Sequence, residues 1–457
     1  MNLTIALIVH RRHSSNLITC LAVSMFNIST EDSNPKPKGD AAMKTFENRL
    51  INALWGLFIG DALAMPAHWY YNPDNIKRDF NGGVKGYEAP PHPHPESFMV
   101  GMDYRPDVEN ANRIGRPYDI LHSHARYYNT SYGRQEVQAT EREDQHGNAT
   151  PRLDERYHYH HGLKAGENTL GAHLVRVLMR SVADGGRYDP ERFVERFVDH
   201  LTTPGRNRDP YTEIYIRRWF ENYAKGLPPR NCAAFQRDNW SIGSHGGMIR
   251  PLVAAMLADN PYQGLGIAVE HHNLTHRSEN NVGGLGILVP LLLGLLKGTD
   301  PRMTAVSMAG SLRAPRVTGK ELFDLYRKHD GPGNIPEDEV WRLHTDLEDA
   351  PLDLEDLVTT LDETEAAERF ATACYPEHGL PLLLYLARKH EFDMERSLLA
   401  NVNVGGDNVH RGMLLGMVVG AAHDDPPGHL VEGLADYEAL KKEIEGFAEV
   451  AVSGRGV

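Results

Sequence analysis

The stretch from Gly412 to Gly420 places a glycine at every fourth position of an apolar, helix-forming run: Gly412, Gly416 and Gly420. Each costs a helix roughly 1 kcal/mol relative to alanine. Three on one face therefore need an offsetting interaction, and close packing against a second helix is the simplest one. A comparable ridge of small residues, Gly56, Gly60 and Ala64, lies in "ENRLINALWGLFIGDALAMPAHWYY", where Leu50, Leu54, Leu57 and Leu63 share a face. Two such segments predict a core built on helices that approach backbone to backbone.

Polar residues stand at the mouth of the glycine-rich helix. In "NVNVGGDNVH", Gly405 and Gly406 permit the positive φ of a tight turn, Asp407 is a natural N-cap, and Asn408, Val409 and His410 form the first helical turn. Asp407 and His410, three apart, point the same way. A second mouth, "YHYHHGLKAGENTLGAHL", opens an apolar helix with Gly166, Glu167, Asn168 and Thr169. Glu167, Asn168 and Asp407 are oxygen donors of the kind hard cations accept, and His410 adds nitrogen. The plainer reading of both mouths is an N-cap and an acid-enriched first turn favoured by the helix dipole.

Helical periodicity continues through "ENTLGAHLVRVLMRSVADGG", "DPERFVERFVDHL", "MIRPLVAAMLAD", "QGLGIAVEHHNLTH", "NVGGLGILVPLLLGLLKG", "EAAERFATACYPEHGLPLLLYLARKH" and "DMERSLLANVNV". Strand-like alternation is almost absent, so the fold class is all-α, in one multi-helix domain over 43–457. The apolar run at 285–296 reads as a buried central helix rather than a membrane span. Residues 80–155 show no sustained period and read as an excursion over a site or a partly disordered segment. Residues 1–42 contain two short apolar runs split by charge, neither long enough to span a membrane, followed by a disordered-type linker. They read as an extension outside the fold, with Met43 as an alternative start.

Composition closes some function classes. The net charge of −14 argues against a general nucleic-acid or anionic-membrane binder. Cys20, Cys232 and Cys374 form no metal-type pair and no disulfide framework, which fits a reducing, cytoplasmic compartment. Among 24 histidines, those of "YHYHH" (His158, His160, His161) and "PHPHP" (His92, His94) are candidate metal ligands, with a solvated loop as the commoner arrangement.

Taken in order from about Phe46 to Asp424, these motifs resemble the ADP-ribosylglycohydrolase family. "GLFIGDALAMPAHW" is similar to its opening Gly-Asp-Ala-Leu-Gly-x-Pro-x-Glu, and "AGENTL" stands at its Thr-Asp-Asp-Thr. "SIGSHGGMIRPL" resembles its Gly-Asn-Gly-x-x-Met-Arg, "LTHRSE" its Thr-His segment, and "NVNVGGDNVHRGMLLGMVVGAA" its closing Gly-Gly-Asp-Thr-Asp-Thr helix. The resemblance implies a helical domain that hydrolyses the glycosidic bond between ADP-ribose and an acceptor, with Mg²⁺ held by the two aspartate segments. By position it implies Glu167, Asn168, Asp407 and His410 as metal ligands, and Glu167, His68 and His410 as catalytic groups. It further implies Asp61, Ser241, Gly243, His245, Gly247 and His276 as substrate-binding residues.

The departures from the family pattern alter that expectation. Gly166 replaces a threonine, Glu167 and Asn168 replace two aspartates, Val409 replaces an aspartate, His410 a threonine and His68 the first-motif glutamate. Four carboxylates become two, so the sequence predicts one ion, or a histidine-preferring Mn²⁺ or Zn²⁺, in place of a Mg²⁺ pair. A non-catalytic, crystallin-like binding or structural member that has lost the two-metal site is the alternative.

Overall fold

The periodic segments fold as helices in a computed structural model of the protein, which describes residues 40–132, 142–143, 149–150, 156–238, 240–329, 335–336, 339, 346–422 and 425–455. In chain order the helices begin with α1 (Asp40–Ala64), α2 (Pro73–Asp79), α3 (Val108–Ile114), α4 (Leu170–Gly185), α5 (Pro190–Thr202) and α6 (Ile214–Ala224). The middle of the chain supplies α7 (Gly246–Ala255), α8 (Pro261–Thr275), α9 (Glu279–Leu296), α10 (Pro301–Ala309), α11 (Gly319–Lys328) and α12 (Leu354–Thr360). The last part supplies α13 (Glu363–Phe370), α14 (Pro376–Lys389), α15 (Met394–Val404), α16 (Asn408–Ala422), α17 (Gly428–Glu432) and α18 (Tyr437–Ser453). Extended structure among the described residues amounts to three two-residue pairs and the isolated bridges Tyr70–Gly406 and Pro315–Leu347, so the fold is all-α.

Helix α16 is the centre. It packs most extensively on α1 and also touches α15, α9 and α14, so every residue from Asn408 to Ala421 is buried. That enclosure explains why it is apolar all round rather than amphipathic. Its glycines meet those of α1 in antiparallel register. A Cβ on Gly416 would stand 1.9 Å from Gly56 O, one on Gly60 2.2 Å from Gly412 O, and one on Gly420 2.3 Å from Asn52 O. Only glycine permits such contact, and the packing expected from the fourfold spacing is present.

The same register delivers the site. Continuing the pairing by one turn carries the end of α1 to the start of α16, where Asn408 Nδ2 donates to Ala67 O at 3.0 Å. The turn before α16 places Gly405 and Gly406 at φ +74° and +72°. Arg411, wholly buried, clamps that turn: its Nη2 donates to Gly405 O at 2.7 Å and its Nε to Asn401 Oδ1 at 2.7 Å.

Two helical stretches, Thr45–Ala67 and Glu279–Leu296, are long and apolar enough to cross a membrane, and 94% and 72% of their apolar windows are buried within this fold. The expected extension at 1–42 lies outside the described residues except for Asp40–Ala42, which already belong to α1. Of the 80–155 excursion, residues 80–132, 142–143 and 149–150 are described; they hold α3, short 3₁₀ turns, the parallel pairing of Asp103–Tyr104 with Asn129–Thr130 and the antiparallel pairing of Arg142–Glu143 with Ala149–Thr150.

Candidate functional site

Six side chains form a continuous buried line at the α1–α16 junction. Asp209 Oδ1 lies 2.9 Å from His160 Nδ1, His160 Nε2 lies 2.7 Å from His68 Nδ1, and His68 Nε2 lies 3.1 Å from Asp407 Oδ1. On the other side, His410 Nδ1 lies 3.0 Å from Asp407 Oδ2, and His410 Nε2 faces Glu213 Oε1 at 3.4 Å. His245 Nδ1 approaches Asp407 Oδ2 at 3.5 Å. Asp209 is fixed by the backbone N–H groups of Leu170 and Tyr211, at 2.7 and 3.1 Å. Trp69, Tyr159 and Tyr211 wall His68 at ring distances of 5.3 to 6.3 Å, and Trp69 packs on both tyrosines at 4.8 and 5.4 Å.

The electrostatics are those of charge held out of water. Burial pushes the Asp407 carboxyl up, but the charges of His410 and His245 and hydrogen bonds from His410 and His68 pull it well below the ordinary carboxylate range. Burial pushes His410 down, but Asp407 and Glu213 hold it well above the ordinary imidazole value. His68 falls to about 3, chiefly through burial, only partly opposed by Asp407.

Proton counting tests whether a cation fits. A ring nitrogen facing a carboxylate must carry a proton to donate. The line from Asp209 to Asp407 therefore needs three protons on two rings, and His410 needs two. A cation replacing the protons on His68 Nε2 and His410 Nδ1 leaves every imidazole neutral. His68 is then backed through His160 by Asp209, and His410 by Glu213, the outer-shell carboxylate pattern that orients metal-ligating histidines. The ligating atoms of His68, Asp407 and His410 lie within 4.8 Å of one another. Two nitrogens and one carboxylate suit a first-row transition metal and do not suit a Mg²⁺ pair.

The structure brings His68, Asp407 and His410 together, and adds His245. Glu167 does not join them. Its carboxylate accepts from Lys164 N at 2.8 Å and pairs with Arg208 Nη1 at 2.6 Å. The reason is local: α4 starts only at Leu170, and Gly166, at φ +77°, leaves Glu167 in the preceding turn, free to face outward. Asn168 is buried, but its Nδ2 donates to Phe58 O and to Asp61 Oδ2, at 2.9 and 2.8 Å. Asp61 also accepts from Thr169 N and Oγ1, so it caps α4 across the helix pair. Burial raises its carboxyl above the usual range. Val409 is buried beside the cluster and lines its small cavity with Thr169, Leu170, Tyr211 and Glu213.

Besides Asp61, the five other residues expected to bind substrate separate. His245 reaches Asp407. His276 is buried at the end of α8, with Nδ1 2.9 Å from Thr275 Oγ1 and its ring 4.0 Å from that of Tyr215. Gly247 admits His276 and Asn281, since a Cβ there would stand 2.3 Å from Asn281 Nδ2, and Gly243 similarly admits Gln236. Ser241 is half-buried in the 3₁₀ turn before α7.

Two expectations are corrected. His94, His158 and His160 are buried, not solvated loop residues. His94 Nε2 lies 2.9 Å from His68 O, and His158 Nε2 lies 3.0 Å from Pro66 O, so both brace the segment carrying His68. Asp209 and Glu213, which the motif reading did not single out, sit in "RDPYTE", where an acid, a proline and an aromatic between two helices are the only local signal.

The sequence pattern of the ADP-ribosylglycohydrolase family matches residues 42–120 and 112–456. A solved chain described as "ADP-ribosylglycohydrolase-related protein complex" is similar, at 16% identity and a TM-score of 0.48, over 89% of this chain and 99% of that one. No curated protein matches.

Proposed function

The chain belongs to the ADP-ribosylglycohydrolase family, and from that premise we propose that it hydrolyses an N- or O-glycosidic bond of an ADP-ribosyl or related ribosyl substrate, using one imidazole-ligated divalent ion. The observation that supports this is the parity of the hydrogen-bond line, in which His68 and His410 are each backed by a carboxylate and converge on Asp407. His68, Asp407 and His410 would hold the ion, with Mn²⁺ or Zn²⁺ preferred to Mg²⁺. Such an ion, when bound, lowers the pKa of its water and polarises the ribose oxygens.

The remaining steps belong to the protein. Asp209 and His160 lock the tautomer and orientation of His68. Glu213, whose side chain is 12% exposed and lines the cavity, is the carboxylate placed to take a proton from an attacking water. The aromatic wall of Trp69, Tyr159 and Tyr211 keeps bulk water from the cluster. Glu167, paired with Arg208, acts from this geometry only if that pair opens.

A non-catalytic reading is favoured by one observation: the cavity beside the cluster has a volume of about 10 Å³, room for a single water. Elemental analysis of untagged protein, with hydrolysis assays on ADP-ribosyl-arginine and ADP-ribosyl-serine peptides plus Mn²⁺, Zn²⁺ or Mg²⁺, separates the readings. About one bound transition-metal ion per chain and metal-dependent release of ADP-ribose are expected. Absence of both sinks the catalytic proposal.

A further inference from the structure

A cavity lies away from the His68–Asp407 cluster, between α4 and α5 and the segment that follows α5. Its volume is about 560 Å³, within the range of small-molecule sites, and Arg176, Arg180, Arg196, Arg206, His173 and His200 line it. Asp199 and Asp436 are the acidic residues in its wall. Four guanidiniums converge on it, and the carboxylates that pair with them are Glu443, Asp436, Asp184 and Asp199. His200 is 7% exposed, and its Nε2 has no hydrogen-bond partner. The rings of His173 and His200 lie 6.5 Å apart at 26°.

The arginines differ in how firmly they are held. Arg176 is buried and grips Glu443 through Nε and Nη2, at 2.7 and 3.2 Å, and Asp436 through Nη1, at 2.8 Å. Arg180 shares Glu443, at 2.8 Å. Arg196 and Arg206 pair instead with Asp184 and Asp199, whose side chains are 64% and 56% exposed. Exposed pairs of that kind hold weakly, being screened by solvent and salt. A phosphate offers more charge and more acceptor oxygens than one carboxylate and meets guanidinium groups bidentately, so it can displace Asp184 and Asp199.

We propose that this cavity binds a phosphate-bearing small molecule, at a site separate from the glycosidic centre. The cavity and the centre share elements. Arg176 and Arg180 ride on α4, whose first N–H, from Leu170, holds Asp209 at 2.7 Å, and Arg206 stands three residues before Asp209. A ligand on these arginines thus bears on the residue that backs His160 and His68.

Isothermal titration of the full chain with inorganic pyrophosphate, at low and high salt, tests the proposal. Binding that weakens with salt is expected. It should fall by about tenfold or more in the Arg196→Glu/Arg206→Glu double variant, whose changed side chains are 35% and 47% exposed, and strengthen in Asp199→Asn. It should be unchanged in Asp407→Ala. Absence of binding overturns the proposal, as does binding that survives the double variant with Asp199→Asn unchanged. Binding lost in Asp407→Ala but kept in the double variant assigns the anion to the glycosidic centre and overturns it equally.

Discussion

His68 Nε2 and Asp407 Oδ1 meet at 3.1 Å although 339 positions separate them in the chain. Among the described residues, Asp407 is the carboxylate that faces His68, His410 and His245 together. Replacing it by alanine removes the oxygen on which the donor set converges. On the proposed mechanism, Asp407→Ala is expected to abolish transition-metal binding and to lower glycosidic hydrolysis by more than the ~10–100-fold typical of outer-shell changes. Metal content and single-turnover rate are the measurements, and an unchanged rate would remove the metal-centred mechanism.

Asp209 reaches the cluster only through His160. With Asp209→Asn, the amide cannot serve equally as acceptor for His160 Nδ1 and for the N–H groups of Leu170 and Tyr211. Metal affinity is expected to drop by ~10–100-fold with near-native helicity. Competition with a chelator reads the affinity, and circular dichroism reads the helicity. A fully native affinity would show that His68 does not depend on this backing.

The glycine register makes opposite predictions at two positions. A Cβ at Gly416 collides with Gly56 O and with Leu57 N on the facing backbone, which cannot move aside as a side chain could. Gly416→Ala is expected to destabilise the fold by about 3 kcal/mol. Gly266, inside α8, has nothing within 4 Å of its Cβ position, so Gly266→Ala should stabilise by about 0.5–1 kcal/mol. Urea denaturation of both variants checks the pair, and equal shifts would contradict it.

Acid should unfold this protein through its histidines. Burial lowers His94, His173, His200, His272 and His378 each to about 4 from an ordinary 6.5. As pH falls, the unfolded chain takes up these protons first. Their contribution is therefore complete above pH 6.5 and is lost progressively as pH falls from 6.5 to about 4. The urea midpoint is expected to be distinctly lower at about pH 5 than at about pH 7.5, with several protons taken up on unfolding. Equal midpoints would refute this.

Much of this was legible in the sequence, and the rest was not, for identifiable reasons. The fourfold glycine spacing and the turn at Gly405 and Gly406 are local signals, so the α16 mouth and the packing of α1 could be read from the chain. Asp407, His68 and His410 followed from motif order, and they do meet. Glu167 was misplaced because the motif reading set it in the first helical turn, whereas α4 starts only at Leu170 and Gly166 turns Glu167 toward Lys164 N and Arg208. His160 looked like a solvated loop residue because "YHYHH" is polar in composition, whereas its burial depends on Asp209 and Tyr211 arriving from 49 and 51 positions later. Acid–histidine lines assembled from separate loops leave no spacing to detect.

The glycine-paired helices also constrain how the chain is made. Residues 40–64 are synthesised more than 300 positions before the partner that covers their glycine face, residues 408–422. Until then Gly56 and Gly60 have no neighbour to justify their cost in helix propensity, and closing a loop of this length precedes any reward from the contact. The central pair is therefore a late-forming, high-contact-order element. A nascent or truncated chain lacking the last helices would expose an apolar α1, a natural target for chaperones and a route to aggregation.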